Sequence, residues 1–447
     1  MIQQRLGTAI RKTLEPLSRG RLHAFVKKDH YTLVYELIHS APPVRSRQWQ
    51  PIPPPGDPDH APTMTARKRI AFFNPIFAHY RRALVRELRT SEKFEYFLFG
   101  DTQDRYSNIP ALDLSADSRF RPTPYRRLLR IFAWQRGIVA PTLFGDFDCF
   151  ILEGDAYYLS TWVGALLARM RRRRVLYWSH GWTRVDTGVK HVVRLLFYRL
   201  ADGLLLYGAR AKSIGIESGL PADKLYVMYN SLDFDHQQSC AAALRDQEIA
   251  ALRVALFGSQ SIPVVIATAR LTSKKRFDLL VRALGRVNRA GRRVDLLVVG
   301  DGPERGALEA LAQAERVNAV FVGACYEEAR LAALFACASV LVSPGEVGLT
   351  CMHSLGYGVP VITHGDPSRQ MPEWEAIVPG VTGDLFEPDD VEDLAGKVDR
   401  WTQSPSVPEA TRAACLSRIV QRYHARSQAQ AIELALSGVP ASTEAAA

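Results

Sequence analysis

A chain of 447 residues, 47% apolar and 23% charged, is long enough for two or three domains with separate cores and has an ordinary globular composition. It holds no run of about 18 uncharged apolar residues, so no spanning helix is expected, and no apolar N-terminal core of the kind a secretory signal carries. The net charge is +11 and uneven: residues 1–70 hold twelve Lys/Arg against five Asp/Glu, or +7, which leaves +4 for the rest.

The six cysteines (Cys149, Cys240, Cys325, Cys337, Cys351, Cys415) show no C-x-x-C spacing. They point to reduced thiols in a cytoplasmic chain, not to a disulfide frame or a zinc site. Ile2, Leu6, Ile10, Leu14 and Leu17 recur at helical spacing with Arg5, Arg11, Lys12 and Arg19 between them. Residues 1–40 are therefore expected to offer a basic amphipathic helix, which either lies on an anionic membrane surface or packs on protein. Nucleic acid is not an expected partner, because no zinc-finger spacing, aromatic RNA-binding signature or heptad repeat is present. Residues 41–66 are Pro-rich, with Pro51-Ile-Pro-Pro-Pro55, and form a linker. Residues 1–66 thus make a basic extension and linker.

From Arg69 the pattern changes. Strands are expected at Ile70–Phe73, Phe94–Phe99, Cys149–Leu152, Val175–Trp178, Gly203–Tyr207 and Leu225–Tyr229, with helical stretches between them, the first over Phe77–Thr90. Residues 234–260 suit a helical connection. A second alternation follows: strands at Val264–Thr268, Asp295–Val299, Val320–Val322, Val340–Val342 and Val359–Thr363, and helices over Phe277–Ala290, Pro303–Ala314 and Thr350–Tyr357. A helix over Pro408–Leu436 and a polar tail, expected to be disordered, complete the chain. The pattern predicts an α/β protein of two tandem Rossmann-like domains, residues 67–245 and 246–405, with parallel sheets facing a cleft and residues 406–447 as a C-terminal helix and tail.

Residues 343–362 carry the most chemistry. An apolar run ends in Ser343-Pro-Gly345-Glu346-Val347-Gly348-Leu349, where a helix starts. A strand, a glycine turn and a helix start leave backbone N–H groups aimed at one point, which favours a phosphate-bearing ligand. Asp146-Phe-Asp148 has the D-x-D spacing of metal chelators but precedes its strand, away from the cleft, so no metal and no cofactor is expected. Arg171–Arg174, between a helix and a strand, suits a solvated turn or a membrane-facing rim.

Several segments together resemble the retaining GT-B glycosyltransferases of family four. They are Ala269-Arg270-Leu271 through Lys275 and Asp278, Val298-Val-Gly300-Asp-Gly302-Pro303, Phe321-Val-Gly323, Gly358-Val-Pro360, Gly380-Val-Thr-Gly383 and Asn230-Ser-Leu-Asp233. The resemblance implies a nucleotide-sugar donor and a saccharide or lipid-linked acceptor, with bacterial envelope glycans as the natural acceptor class. It implies Arg270 and Lys275 as the cations on the leaving diphosphate, His180 as the cleft histidine, and the amides of Val347, Gly348 and Leu349 as a cap on the phosphate or donor sugar. The family's two glutamates, eight residues apart, fall here at Gly345 and His353. Glu346 sits one residue late, and either replaces the first glutamate or faces solvent. His353 can still bond a ribose hydroxyl. Glu373 is a candidate sugar contact, and Asn74, Arg81, Arg210 and Lys212 are candidates on the acceptor side. A nucleotide-sugar epimerase or hydrolase on the same scaffold, or a non-catalytic nucleotide-sugar-binding scaffold, are the competing readings.

Overall fold

The computed structural model describes residues 67–104, 106, 109–129 and 131–441. The N-terminal amphipathic segment, the Pro-rich linker and the last six residues of the tail lie outside the described residues.

The first domain begins with β1 (Lys68–Ile76) and α1 (Arg82–Arg89), then β2 (Phe94–Asp101) and β3 (Phe120–Pro122). A hairpin of β4 (Tyr125–Leu128) and β5 (Phe132–Gln135) leads to α2 (Val139–Phe144), β6 (Cys149–Glu153), α3 (Leu159–Met170), β7 (Arg174–Ser179), α4 (Gly188–Arg199), β8 (Gly203–Leu206), α5 (Ala209–Glu217) and β9 (Leu225–Val227). Seven strands form one parallel sheet in the order β3-β2-β1-β6-β7-β8-β9. Its central strands are buried on both faces, which is why they read as continuous Val/Ile/Leu/Phe runs without alternation. The helical connection expected over 234–260 forms α6 (Phe234–Ala242) and α7 (Asp246–Phe257).

The second domain runs β10 (Val264–Thr268), α8 (Phe277–Arg289), β11 (Asp295–Val299), α9 (Arg305–Ala314), β12 (Ala319–Gly323), α10 (Glu328–Ala336), β13 (Val340–Ser343), α11 (Leu349–Gly356), β14 (Val361–His364), β15 (Gly383–Phe386) and α12 (Val391–Trp401). Its six-stranded parallel sheet has the order β12-β11-β10-β13-β14-β15. Each sheet therefore reverses direction once, between β1 and β6 in the first and between β10 and β13 in the second. Such switch points open a crevice at the carboxyl ends of the flanking strands.

Three local expectations change. The segment before β6 holds an edge strand and a hairpin where helical crossovers were expected; Pro122 and Pro124 interrupt any helix there. Gly383–Phe386, absent from the expected strands, pairs with β14 as an edge strand. The C-terminal helix is two helices, α13 (Glu409–Arg418) and α14 (Ala425–Ser437), joined by a π-turn over Ile419–Tyr423 and a bend at His424. The side chain of His424 caps α14 by accepting from the Arg426 amide at 3.1 Å. The bend sends the chain back: Cys415 and Ile419 join the core with Cys351 and Leu355 of the second domain, whereas Ile432, Ala435 and Leu436 join the core of the first with Leu84 and Leu88.

Candidate functional site

The second-domain half of the site is built by close backbone approach. A Cβ at Gly300 would lie 1.9 Å from the Ala269 carbonyl oxygen, and one at Gly302 would lie 2.2 Å from that of Leu271. Only glycines let the turn after β11 press onto Ala269-Arg270-Leu271, where the Leu271 amide bonds the Asp301 carbonyl at 2.9 Å. Arg270 sits at the apex of that segment. Its side chain is exposed and makes no hydrogen bond or ion pair among the described residues.

Lys275 lies one short turn further on and meets the loop after β13. Its Nζ donates to the Glu346 carbonyl at 2.9 Å and stands 3.5 Å from the Glu346 carboxylate. The loop is held from below, since the Gly345 amide bonds the Lys275 carbonyl at 3.1 Å and a Cβ at Gly345 would strike the Lys274 carbonyl at 2.1 Å. Glu346 is therefore neither free in solvent nor withdrawn: it is the resident counter-charge of Lys275. The switch point of the second sheet thus brings Lys275 and residues 345–349 together, with Arg270 five residues before Lys275 on the segment that follows β10.

The amides of the loop differ from expectation. Val347 is fully buried, and its N–H donates to Gln370 Oε1 at 2.8 Å. Gln370 is itself fixed by bonds from its Nε2 to Thr363 and to the His364 carbonyl. Val347 is thus a structural residue, and its amide cannot serve a ligand. Gly348 is the N-cap of α11 and no side chain caps it. The Gly348 and Leu349 amides stand at the open start of that helix, where unsatisfied donors and the helix dipole favour an anion.

His353 projects from α11 to α10, with Nε2 3.5 Å from Glu328 Oε1. Tyr357 donates to the same oxygen at 2.5 Å. Burial alone would raise the Glu328 carboxyl, but His353 and the Tyr357 hydroxyl outweigh it and hold the pKa down to about 2. The histidine in the second-glutamate position thus has a carboxylate partner on the next helix. Sequence reasoning missed Glu328 because the pairing is between helices, 25 residues apart in the chain.

The first domain presents an aromatic box. The Arg81 guanidinium lies 4.8 Å from the Trp178 ring and donates to the Tyr207 hydroxyl, which also accepts from Trp178 Nε1. Cation–π contact of this kind contributes about 0.5–2 kcal/mol and fixes a buried cation without a carboxylate. Among the described residues Tyr207 is the only hydrogen-bond partner of the Arg81 guanidinium. His180 follows β7 into the cleft with its ring 4.5 Å from Tyr207. The surrounding protein, and secondarily Arg81, push its pKa down to about 4, so the imidazole is neutral at pH 7. Asn74 is buried at the end of β1, where Gln135 Nε2 holds its carbonyl at 3.1 Å. Glu153, at the end of β6, is a residue the sequence did not reveal. Burial and then Asp155 push its carboxyl well above the usual range, Arg81 opposes them, and no hydrogen bond to a described residue fixes it. β1 and β6 flank the first switch point, so Asn74, Arg81 and Glu153 share it.

The two faces meet through residues 372–376. Glu373 is buried: Oε1 accepts from Asn230 Nδ2 at 2.8 Å, while Oε2 has no hydrogen-bond partner among the described residues, and burial raises its pKa against the influence of Asn230, Arg81 and Lys275. Glu375 crosses to the first domain and accepts from the amides of Ala209 and Arg210 at 2.7 and 2.9 Å, which caps α5 with a carboxylate from the other domain. Arg210 thereby serves the interface with its backbone, and its Nε donates to the Thr183 carbonyl at 3.3 Å. Lys212 is buried within α5, and burial lowers its pKa. The amino-end pair Asp146 and Asp148 is engaged by Arg69 and Arg173. The interdomain clasp is testable: Glu375→Gln keeps one acceptor of two and is expected to cost about 1.5–3 kcal/mol, read as a lower melting temperature together with a larger radius of gyration in small-angle scattering. An unchanged melt would show that Glu375 does not hold the domains.

Residues 262–404 match the family model described as "Glycosyl transferases group 1". Residues 262–404 are thus similar to a group 1 glycosyltransferase domain, and the two facing parallel-sheet domains have the GT-B fold. Among solved structures, Anabaena Alr3699/HepE in complex with UDP aligns with 83% of this chain and 100% of its own, at 16% identity and a TM-score of 0.61. A glycosyltransferase from Rickettsia africae ESF-5 aligns with 84% and 99%, at 14% identity and 0.64. The lipopolysaccharide outer core galactosyltransferase WaaB, apo form, aligns with 83% and 99%, at 16% identity and 0.58. Identities this low establish the fold alone. The comparison with curated proteins finds no match.

Proposed function

We propose that this chain transfers a sugar from a nucleotide-sugar donor to a saccharide or lipid-linked acceptor, with retention of configuration, in the synthesis of bacterial envelope or extracellular polysaccharide. The observation that carries the proposal is the juxtaposition of Lys275, the 345–349 loop and exposed Arg270 at the switch point of a group 1 glycosyltransferase domain. As the glycosidic bond breaks, negative charge grows on the leaving diphosphate. Fixed cations and helix-start amides stabilise that charge more in the transition state than in the ground state. In the free protein Glu346 neutralises Lys275, so the donor diphosphate competes with a carboxylate for it. Neutral His180 accepts or donates one hydrogen bond to a donor-sugar hydroxyl without placing a second cation beside Arg81. Across the cleft, Arg81, Asn74 and Glu153 are placed to hold the acceptor. Metal-free transfer at the cytoplasmic face of the membrane is part of the same reading.

A melting-temperature panel of nucleotide sugars is the direct test. A donor at about 100 times its Kd adds about 2.7 kcal/mol of stability, which a melt resolves. We expect one nucleoside diphosphate sugar to stand out and its nucleoside diphosphate to stabilise nearly as well; a panel with no response would remove the donor site. The anomeric configuration of the product, read by NMR, then tests retention, and free sugar or epimer without acceptor would mark a hydrolase or epimerase.

A further inference from the structure

α4 begins eight residues after His180 and is apolar on two sides. Phe197 and Tyr198 point inward and are buried, with Phe197 packed on Trp162 of α3 at 4.9 Å. On the outward side Val189, Val192 and Leu196 follow one another at spacings of three and four, a single stripe along the helix, and Val185 lies in the turn that precedes it. All four are exposed, Val189 by 70% and Val192 by 53%. The neighbouring α3 adds Leu166 and Met170, one turn apart, with Met170 exposed by 79%. Consecutive crossovers from β6 to β7 and from β7 to β8 put α3 and α4 on the same side of the sheet, and Arg169 of α3 bonds the Leu200 carbonyl at the end of α4. Single exposed apolar residues are ordinary on a soluble surface; an ordered stripe across two adjacent helices is not.

The charge around the stripe is mostly positive, although Arg169 pairs with Asp202, and Arg173 with Asp146 and Asp148. Between Asp155 and Asp202 the chain holds nine Lys/Arg and one acidic residue, Asp186. Asp186 is buried and is neutralised by Lys190 and Arg194 at 2.8 and 2.9 Å. Arg172, Arg184 and Arg199 are exposed and have no acidic partner among the described residues. We propose that the α3–α4 face docks on an anionic lipid bilayer, with the valine–leucine stripe in the headgroup boundary and the arginines on the lipid phosphates. Two other occupants fit the charge poorly. Residues 1–66 are themselves cationic, with nine Lys/Arg against five Asp/Glu, and a second copy would set the same cationic rim against itself. The proposal goes beyond the transfer reaction and does not rest on it, since a bilayer is recognised without donor or acceptor.

The test uses the full chain and vesicles of phosphatidylcholine, with and without phosphatidylglycerol, separated by sedimentation. The protein is expected to bind the phosphatidylglycerol vesicles and to release as salt rises. The triple variant Val189→Asp, Val192→Asp, Leu196→Asp should lower the partition coefficient by about a hundredfold, as three apolar side chains leave the interface. Its melting temperature should stay at the parental value, because all three positions are exposed. The pair Arg184→Glu, Arg199→Glu should weaken binding and flatten its salt dependence even if the triple variant folds poorly. Parental vesicle binding by both variants would overturn the proposal and place attachment elsewhere in the chain. Equal binding to phosphatidylcholine alone would overturn it as well, and so would a parental dimer that the triple variant dissociates, which would assign the face to a second copy. Donor binding, measured in parallel, separates these outcomes from a failure of the enzymatic reading.

Discussion

Lys275→Ala is expected to lower kcat/KM for transfer by about a hundredfold to a thousandfold, the range observed when one donor aimed at developing charge is removed. The loss should fall mainly on kcat, because the diphosphate carries more charge in the transition state than in the bound donor. Stability should hardly change. The Lys275–Glu346 pair is partly exposed, with side chains 21% and 38% accessible, and pairs so placed contribute at most about 1 kcal/mol. Arg270→Ala should behave alike with still less effect on folding, since that side chain has no partner to lose among the described residues. The double variant should be no worse than the poorer single one by the full product, because the two cations act on one charge. Glu346→Gln separates the two roles open to that residue. As a mere counter-charge, its removal should tighten donor binding; as a sugar contact, its removal should slow transfer with the donor still bound. Near-normal transfer by both Lys275→Ala and Arg270→Ala, with melts intact, would remove the proposed site.

The alternation of apolar runs and helical stretches made the two sheets legible, because parallel strands buried on both faces leave continuous hydrophobic segments. Edge elements were not legible for the same reason. β15 reads Gly-Asp-Leu-Phe, half polar and four residues long, and β4 begins Tyr-Arg-Arg. The C-terminal bend was hidden because no proline or glycine marks it. His424 ends one helix and caps the next with its own ring, and Tyr423 beside it packs on Tyr229 at 4.7 Å. In the site, Arg270, Lys275 and the 345–349 loop were found by sequence because each lies within a short local motif, although distant backbone contacts hold them in place. Residues defined by tertiary contact were not. Gln370 takes the Val347 amide from 23 residues away, Glu328 meets His353 from another helix, and Glu153 matters only because β6 lies across the switch point from β1.

Glu375 and Glu373 extend that distinction. Both occupy one short motif, Met371-Pro-Glu-Trp-Glu375, and the sequence gives no reason to separate them. Tertiary placement does: Glu375 is spent on the amides that start α5, whereas Glu373 keeps a buried oxygen beside Asn230 that bonds no described residue. Removing Glu375 is therefore a question of contact between the domains, and removing Glu373 one of local polarity beside Asn230.

Gly300→Ala is expected to be among the most damaging single-methyl changes in the molecule. The new Cβ would lie 1.9 Å from the Ala269 carbonyl oxygen, and the residue holds φ +149°, a conformation that L side chains rarely adopt. Backbone strain of this type costs about 1–3 kcal/mol, and the steric overlap adds to it, so a loss of about 3 kcal/mol or more is expected in a denaturant melt. The change is also aimed at function. Relief of the overlap requires Ala269 to move, and Arg270 moves with it, so donor affinity should fall along with stability. Gly302→Ala isolates the second effect, because its Cβ would strike the Leu271 carbonyl at 2.2 Å without a positive φ. Gly306→Ala is the control on the same segment: it lies in the first turn of α9, a Cβ there meets nothing within 4 Å, and alanine is favoured over glycine in a helix by at most about 1 kcal/mol. Opposite signs for Gly300→Ala and Gly306→Ala, six residues apart, would show that the Gly-Asp-Gly turn is required by its contact with the Arg270 segment. Equal and small effects would show instead that the two backbones are not in contact, and the account of how Arg270 is held would go with them.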